Sequence, residues 1–218
     1  MKALAFGEII FDEYLDAPAD KASYIGGAPL NFAAHTARLG AKCALCSAAG
    51  EDENGRKSFD ALVGFGIDTS FIYKNNYPTG SCKVTLDENK KPMFRLEKNS
   101  AYDYIELDDK EITKISRWGA DVFYFGTLAQ RNSVSRKSLE KILDTVSFPE
   151  VFCDINLRND AYTPETIRFC LEKATLLKIS REEEVLLTEL GILPELGEGE
   201  HSRRCAELGK HLARSFPQ

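Results

Sequence analysis

A chain of 218 residues with 43% hydrophobic side chains can bury a substantial core without disulfides or a structural metal. Its net charge of −6, with no basic stripe, excludes an ordinary nucleic-acid surface. No apolar run reaches membrane-spanning length, and the N-terminus leads into Glu8 and Asp12 and not into a signal-peptide core. We therefore expect a cytoplasmic protein with neither a membrane nor a nucleic-acid partner.

The first hundred residues predict, in order, a strand, a hairpin, a helix, a strand and a helix, followed by a second hairpin. Residues 3–11 form an apolar run that predicts one strand, which Asp12 closes. Short segments within 13–25 and two-residue alternation within 81–98 predict a small four-stranded antiparallel β lid, too small to fold alone. Between them the pattern predicts a helix over 30–39, a strand over 43–48 and a helix over 56–63.

After residue 100, strands and helices alternate. The strand predicted over 121–125 is continuously apolar from Val122 to Phe125, as is typical of a parallel sheet that helices cover on both faces. The chain is therefore predicted to be a single α/β domain (1–218), a three-layer α/β/α sandwich with a mostly parallel sheet and the small antiparallel lid. The remaining predicted elements are helices over 108–117, 133–146, 164–173, 181–190 and 202–213, and strands over 151–155 and 174–179.

Cys43 and Cys46 have the spacing of a redox pair or half a zinc site. They lie in a predicted strand, however, where residues three apart point to opposite faces. The sequence contains neither a second such pair nor a histidine at ligand spacing. The sequence therefore favours buried, reduced thiols.

The segment from Gly26 to Asn31 predicts a glycine turn that leads into a helix N-terminus. Gly26 and Gly27 allow the backbone to approach a ligand closely, because neither carries a Cβ atom. The unpaired N–H groups of the helix start and the Asn31 amide suit a small polyhydroxylated ligand. A plain turn before a core helix is the alternative, and this segment alone leaves it open.

Polar residues also follow several predicted strands, where ligands of open parallel sheets bind. They include Asp12, Asp52, Gly126 and the Asp-Ile-Asn-Leu-Arg segment 154–158. That segment offers an acceptor, an amide and a fixed cation, which could orient sugar hydroxyls or steady a phosphate. A salt-bridged turn explains the same segment equally well.

Taken together, these segments resemble the ribokinase-like (PfkB-type) carbohydrate kinases, and within them the fructokinase branch. The resemblance implies transfer of a phosphate from ATP, with Mg²⁺, to a sugar hydroxyl. The matching segments occur in family order and are Gly-Glu-Ile-Ile-Phe-Asp (7–12), Gly-Gly-Ala-Pro-Leu-Asn-Phe-Ala (26–33), Gly-Glu-Asp-Glu-Asn-Gly (50–55), Tyr-Phe-Gly-Thr-Leu (124–128) and Asp-Ile-Asn-Leu-Arg (154–158).

The resemblance also implies roles for single residues. Asp12 and Asn31 would hold sugar hydroxyls, and the lid would close over the sugar and exclude water. Lys98 stands where fructokinases usually place an arginine that contacts the sugar. The other implied sugar-site residues are Gly26 and Gly27, which let the sugar approach the backbone, Gly126, and Asn156 and Arg158 on the path toward the phosphates.

On the nucleotide side, the resemblance implies that Lys178 and Glu183 bind the cofactor. Glu183 would belong to a metal-linked N-x-x-E motif, in which Ser180 replaces the asparagine. Ser180 and Glu183 also fit a helix capping box, which is a sufficient role by itself. The family's Gly-Ala-Gly-Asp segment, with its aspartate base, does not occur in the sequence, so we expect that base beyond Gln218 in a kinase truncated here.

Two alternatives stay open beside a fructokinase-like kinase. One is a catalytically inactive sugar-binding or regulatory protein, and the other is a nucleoside kinase of the same family. The resemblance also implies a homodimer that pairs through the lid. The predicted strand over 174–179 would expose an unpaired edge, so we expect the isolated chain to associate or to be marginally stable.

Overall fold

A computed structural model of the chain describes residues 1–18, 22–158, 161–195 and 201–216. Its strands form two sheets, and two short 3-10 helices cover 101–104 and 128–131. The strands are β1 (Lys2–Phe6), β2 (Ile10–Tyr14), β3 (Ser23–Gly26), β4 (Lys42–Gly50), β5 (Ile67–Asp68), β6 (Ile72–Asn75), β7 (Gly80–Leu86), β8 (Pro92–Leu96), β9 (Val122–Gly126), β10 (Glu150–Asp154) and β11 (Leu176–Lys178). The helices are α1 (Ala28–Arg38), α2 (Glu53–Gly64), α3 (Asp109–Trp118), α4 (Ser133–Thr145), α5 (Pro164–Lys173), α6 (Arg181–Glu189) and α7 (His201–Ser215).

The larger sheet has the order β11-β10-β9-β1-β4-β5, and β6 pairs with the far end of β4. All of its pairings are parallel. Alternate residues of β1 enter two separate core clusters, Leu4 and Phe6 on one face and Ala3 and Ala5 on the other. Helix α1 packs on the second face, whereas α3, α4 and α5 contribute to the first. This arrangement confirms the predicted α/β fold with a mostly parallel sheet.

The smaller sheet, called the lid below, has the order β3-β2-β7-β8. The prediction of an antiparallel lid is wrong in one respect, because β2 and β7 pair in parallel and the sheet is mixed. Each of its two hairpins begins just after a parallel strand of the larger sheet, β1 or β6, has ended. The first strands of the hairpins therefore leave in the same direction and lie side by side.

The predicted single strand over 3–11 is two strands, β1 and β2, which Gly7 separates. Gly7 has a φ of +141°, and a Cβ atom at this position would lie 2.8 Å from Cγ of Pro29. The break carries the chain from the larger sheet into the lid. As a result, Asp12 belongs to a lid strand and does not end a strand of the larger sheet.

Cys43 and Cys46 are buried, are not disulfide-bonded and belong to different core clusters. They therefore face opposite sides of β4, as their spacing predicts. Within the described ranges, no helix combines the length and the apolar character that crossing a membrane requires.

Candidate functional site

The order of the larger sheet indicates where a ligand would bind. From β1 the sheet continues through β4 on one side and through β9 on the other, so the strand order reverses between β1 and β9. Crevices at the carboxyl ends of strands form at such a position. A cavity of about 480 Å³, called the main cavity below, lies here against the lid. Its walls come from the β1–β2 connection, the lid strands, the start of α1, and the segments that follow β9 and β10.

Five of the residues singled out from the sequence line the main cavity. Segments far apart in the chain bring them together: Asp12 from the lid, Gly27 and Asn31 from the start of α1, and Asn156 and Arg158 from the segment after β10. Asp12 is half-buried on the cavity face of β2, beside Cys82 of β7. Carboxylate, amide and guanidinium groups thus converge on one space.

The start of α1 is held by Glu8, which sequence analysis missed. Glu8 is only 4% exposed, and its Oε1 accepts a hydrogen bond from the Ala28 N–H at 3.2 Å. This carboxyl group satisfies one of the helix N–H groups that lack a partner within the helix. Gly27 has a φ of +112°, and a Cβ atom there would lie 2.5 Å from the Glu8 carbonyl oxygen. The close approach therefore requires glycine at position 27.

Both carboxyl groups of the main cavity have raised pKa values. Burial raises the pKa of Glu8 to about 7, although the charges of Arg158 and Arg131 oppose the shift. Burial also raises the pKa of Asp12, again opposed by Arg158. Arg158 is itself exposed, and its Nη1 donates a hydrogen bond to the Leu157 carbonyl oxygen at 3.4 Å. The cavity therefore places one cation opposite two carboxyl groups.

Asn156 adopts a left-handed backbone conformation with a φ of +41°. Few residues other than glycine tolerate this region, and asparagine is one of them. A non-glycine residue held there at a ligand cavity is a form of local strain that is common at functional sites. The observation favours a binding role for the segment 154–158 over a plain turn.

Lys98 lines a second cavity of about 230 Å³, called the side cavity below. The side cavity adjoins the main cavity, because Leu96 and Arg158 line both. Arg131, another residue that sequence analysis missed, also lines it and pairs with Asp103, with Nε 2.7 Å from Oδ1. Lys98 thus lies near the predicted sugar site but outside the main cavity.

Two predicted glycines lie outside the lining of the main cavity. Gly26 pairs with Ile10 in the lid, and a Cβ atom there would lie 3.7 Å from Oδ2 of Asp12. Gly126 pairs with Asp154 at the end of β9, and its carbonyl oxygen accepts a hydrogen bond from Nε2 of Gln130 at 2.8 Å. Both glycines therefore lie next to residues named for the site but do not line the main cavity.

The residues assigned to the nucleotide side also lie outside both cavities. Lys178 is ion-paired with Asp154, with Nζ 2.8 Å from Oδ1. Glu183 is buried and accepts hydrogen bonds from the backbone N–H groups of Ser180 at 2.7 Å and Leu157 at 2.8 Å. The Ser180 capping box is therefore present, and Glu183 also anchors the segment that carries Asn156 and Arg158. The described residues contain no group of three side chains suited to hold a metal ion.

An open parallel sheet with a polar cavity at its reversal point, beneath a small lid, is typical of α/β proteins that bind a small polar molecule. The family model of the pfkB family carbohydrate kinases matches residues 4–213. The chain belongs to this family, as the sequence motifs predict.

Individual relatives agree with the family. The chain is 27% identical over 173 residues to the fructokinase of Vibrio alginolyticus, covering 75% of this chain and 55% of the relative. It is 24% identical over 201 residues to fructokinase-2 of Oryza sativa subsp. japonica, covering 85% and 60%. The crystal structure of an uncharacterised sugar kinase from Pyrococcus horikoshii in complex with ATP matches with a TM-score of 0.74 and 25% identity, covering 87% of this chain and 67% of that one. The chain thus spans 55–60% of the length of these two curated fructokinases.

Proposed function

We propose that this chain holds the acceptor sugar of an ATP-dependent sugar kinase, and that a hydroxyl group of this sugar receives the γ-phosphate as in a fructokinase. Because the chain spans 55–60% of the length of the two fructokinases described above, the transfer itself is proposed for the whole protein.

The main cavity is the observation that carries this proposal. Its carboxyl and amide groups, Asp12, Asn31 and Asn156, are of the types that accept and donate hydrogen bonds to sugar hydroxyls. Phe94 and Leu96 of β8 present apolar surface to the same space. The lid therefore combines a polar group that recognises the sugar with apolar groups that exclude water, which would otherwise compete as the phosphoryl acceptor.

ATP and Mg²⁺ belong to the proposal for the whole protein. The ATP complex of the Pyrococcus horikoshii sugar kinase supports ATP as the phosphate donor. For Mg²⁺, which prefers oxygen ligands, the described residues do not provide a fitting site, since both oxygens of Glu183 already bind backbone N–H groups. Lys178 is half-exposed, and its ammonium group keeps further N–H donors for a phosphate beside the one that pairs with Asp154.

Calorimetric titrations of the chain with D-fructose, adenosine and ATP test the acceptor, and ADP release in the presence of ATP and acceptor tests transfer. We expect heat of binding with the sugar and none with adenosine. Adenosine binding without sugar binding would make the protein a nucleoside kinase, and binding of neither would refute the site. Sugar binding without ADP release, in a protein extended to the full length of the fructokinases, would identify an inactive sugar-binding protein.

The lid also supports a second copy of the chain as partner. Tyr14, Tyr24, Leu86 and Phe94 lie on the cavity face of the lid by register, and all four are exposed large hydrophobic residues. We infer that this face pairs with the lid of another copy. Light scattering should then give a dimer for the wild type and a monomer for Tyr24→Lys with Leu86→Lys. A monomeric wild type would refute the dimer.

A further inference from the structure

Asn156 lies at the main cavity in a backbone conformation that depends on support from its surroundings. It lines the cavity with a φ of +41°, in the left-handed region where a residue with a side chain is strained. Such a conformation persists only where the neighbouring structure fixes it. The hydrogen bonds of the two adjacent residues, Ile155 and Leu157, identify the groups that provide this support.

Thr127 holds the residue before Asn156. It follows β9 directly, is only 1% exposed, and its Oγ1 donates a hydrogen bond to the Ile155 carbonyl oxygen at 2.8 Å. The N–H group of Ile155 donates to the carbonyl oxygen of Lys178, in β11, at 3.2 Å. Both backbone polar groups of Ile155 are therefore bonded, one to each side of β10.

Glu183 holds the residue after Asn156. Its Oε1 accepts the Leu157 N–H at 2.8 Å, and its Oε2 accepts the Ser180 N–H at 2.7 Å. A capping box requires the second of these hydrogen bonds and not the first. The bond to Leu157 is therefore additional, and it ties the start of α6 to the segment that follows β10.

We propose that Thr127 and Glu183 are positioning residues for acceptor binding, which fix Ile155 and Leu157 and thereby direct the Asn156 amide at a hydroxyl group of the sugar. This inference rests on the proposed function and deepens it. Neither side chain lines the main cavity or the side cavity, so both act through Asn156. An amide that is already held in place loses less entropy on binding than a mobile one.

Calorimetry with D-fructose, without ATP and with EDTA to remove divalent metal ions, tests the role of Thr127. Thr127→Val removes the hydroxyl group at nearly constant volume and should weaken fructose binding about tenfold, whereas Thr127→Ser keeps the hydroxyl group and should restore the affinity. Thr175→Val is the matched control. The Thr175 Oγ1 accepts the Val151 N–H at 2.8 Å at the opposite end of β10, so its loss should leave the affinity unchanged.

The same titration tests Glu183. The amide of Glu183→Gln has one oxygen and cannot accept both backbone N–H groups, so we expect fructose binding to weaken about tenfold. Glu182→Gln is the matched control, because Glu182 is an exposed glutamate in the same first turn of α6 and loses the same charge. If Glu183 served only as a metal ligand, Glu183→Gln would keep wild-type affinity in EDTA, and the inference would be wrong.

The stoichiometry of binding separates positioning from loss of folded protein. We expect one fructose per chain with a raised Kd in Thr127→Val and Glu183→Gln. Fewer sites per chain at an unchanged Kd would mean that both residues serve the fold alone, and would overturn the inference. Equal losses of affinity in the variants and their controls would also overturn it, and in both cases the proposed function would stand. A wild-type chain that does not bind fructose would refute the proposed function and this inference with it.

Discussion

Glu8 has an environment that is unusual for a glutamate. Its carboxyl group lines the main cavity, is nearly inaccessible to solvent and accepts the Ala28 N–H at the start of α1. A charge is costly to bury, and here hydrogen bonds from the backbone N–H groups and the charges of two arginines only partly compensate for the lost hydration. Glu8 thus positions the glycine turn. The helix N-terminus favours the charged form of its carboxyl group, whereas burial favours the neutral form.

This environment predicts a stability that depends on pH. The pKa of Glu8 is about 7 in the folded chain and 4.5 as a reference for the unfolded chain, so protons are held more tightly in the folded state. The contribution of Glu8 to the free energy of unfolding therefore falls as the pH rises from about 4.5 to 7 and is constant above that range. Glu8→Gln, which remains neutral, should lack this fall of about 3 kcal/mol.

Denaturant unfolding at about pH 5 and about pH 8 measures the effect. We expect the free energy of unfolding of the wild type, taken relative to that of Glu8→Gln, to be lower at about pH 8 than at about pH 5. The charged neighbours, Arg158, Arg131 and Asp12, are the same in both proteins, so their titration cancels. A difference that does not change with pH would show that Glu8 is not buried as described.

At the scale of single residues, the segments 26–31 and 154–158 that the sequence singles out both contribute to the lining of the main cavity, whereas sequence reasoning missed Glu8 and Arg131. Asp12, Asn31 and Asn156 stand in motifs whose chemistry is readable in a few neighbouring positions. Arg131 gains its role from Asp103, which lies 28 positions earlier in the chain. Local patterns contain no information about such a pair. For Glu8, an acidic residue directly after an apolar strand was the available signal.

At the scale of elements, the alternation of side chains predicts the lid strands but not their pairing. A strand of period two has the same pattern whether its neighbour is parallel or antiparallel. The direction of β2 relative to β7 depends on the larger sheet, from which both strands emerge. The short strands β5 and β6 were missed because segments of two and four residues carry too little periodicity.

The docking of α1 against Glu8 gives a prediction about glycine. Gly27→Ala should destabilise the fold and weaken sugar binding, because its Cβ atom would overlap the Glu8 carbonyl oxygen. Gly40→Ala is the matched control, with a φ of +93° and open space around its Cβ position, and should cost only the backbone strain of about 1–3 kcal/mol. Thermal unfolding compares the two variants. Equal losses would mean that the close approach at Gly27 does not constrain α1.

Two side chains of β8 allow the effect of the lid on sugar affinity to be measured separately from its effect on stability. Phe94 lines the main cavity and is 54% exposed without a ligand, whereas Met93, 56% exposed, lies on the opposite face of β8. Phe94→Ala should weaken sugar binding about tenfold, through apolar surface that a closed lid buries, with little change in melting temperature. Met93→Ala should leave the affinity unchanged in calorimetry. Equal affinities for all three proteins would show that the lid does not close on the sugar.

At the scale of the whole molecule, the site exists only because two sheets meet. The larger sheet supplies Asn156 and Arg158 beyond its carboxyl edge, and the lid supplies Asp12 and Phe94 from above. The alternation of strands and helices predicts the parallel sheet, and with it the edge where ligands gather. The distance between the lid and that edge could not be predicted, because it depends on packing between segments remote in sequence.

The most direct test of a sugar-binding cavity beneath the lid is the affinity of Asp12→Asn for D-fructose, measured by calorimetry. Asp16→Asn is the control, since Asp16 lies at the outer end of the lid, where its Oδ2 accepts the Leu86 N–H at 3.4 Å. The account predicts about tenfold or weaker binding for Asp12→Asn, from the loss of a charged acceptor, and wild-type affinity for Asp16→Asn. Equal affinities in all three proteins would contradict it.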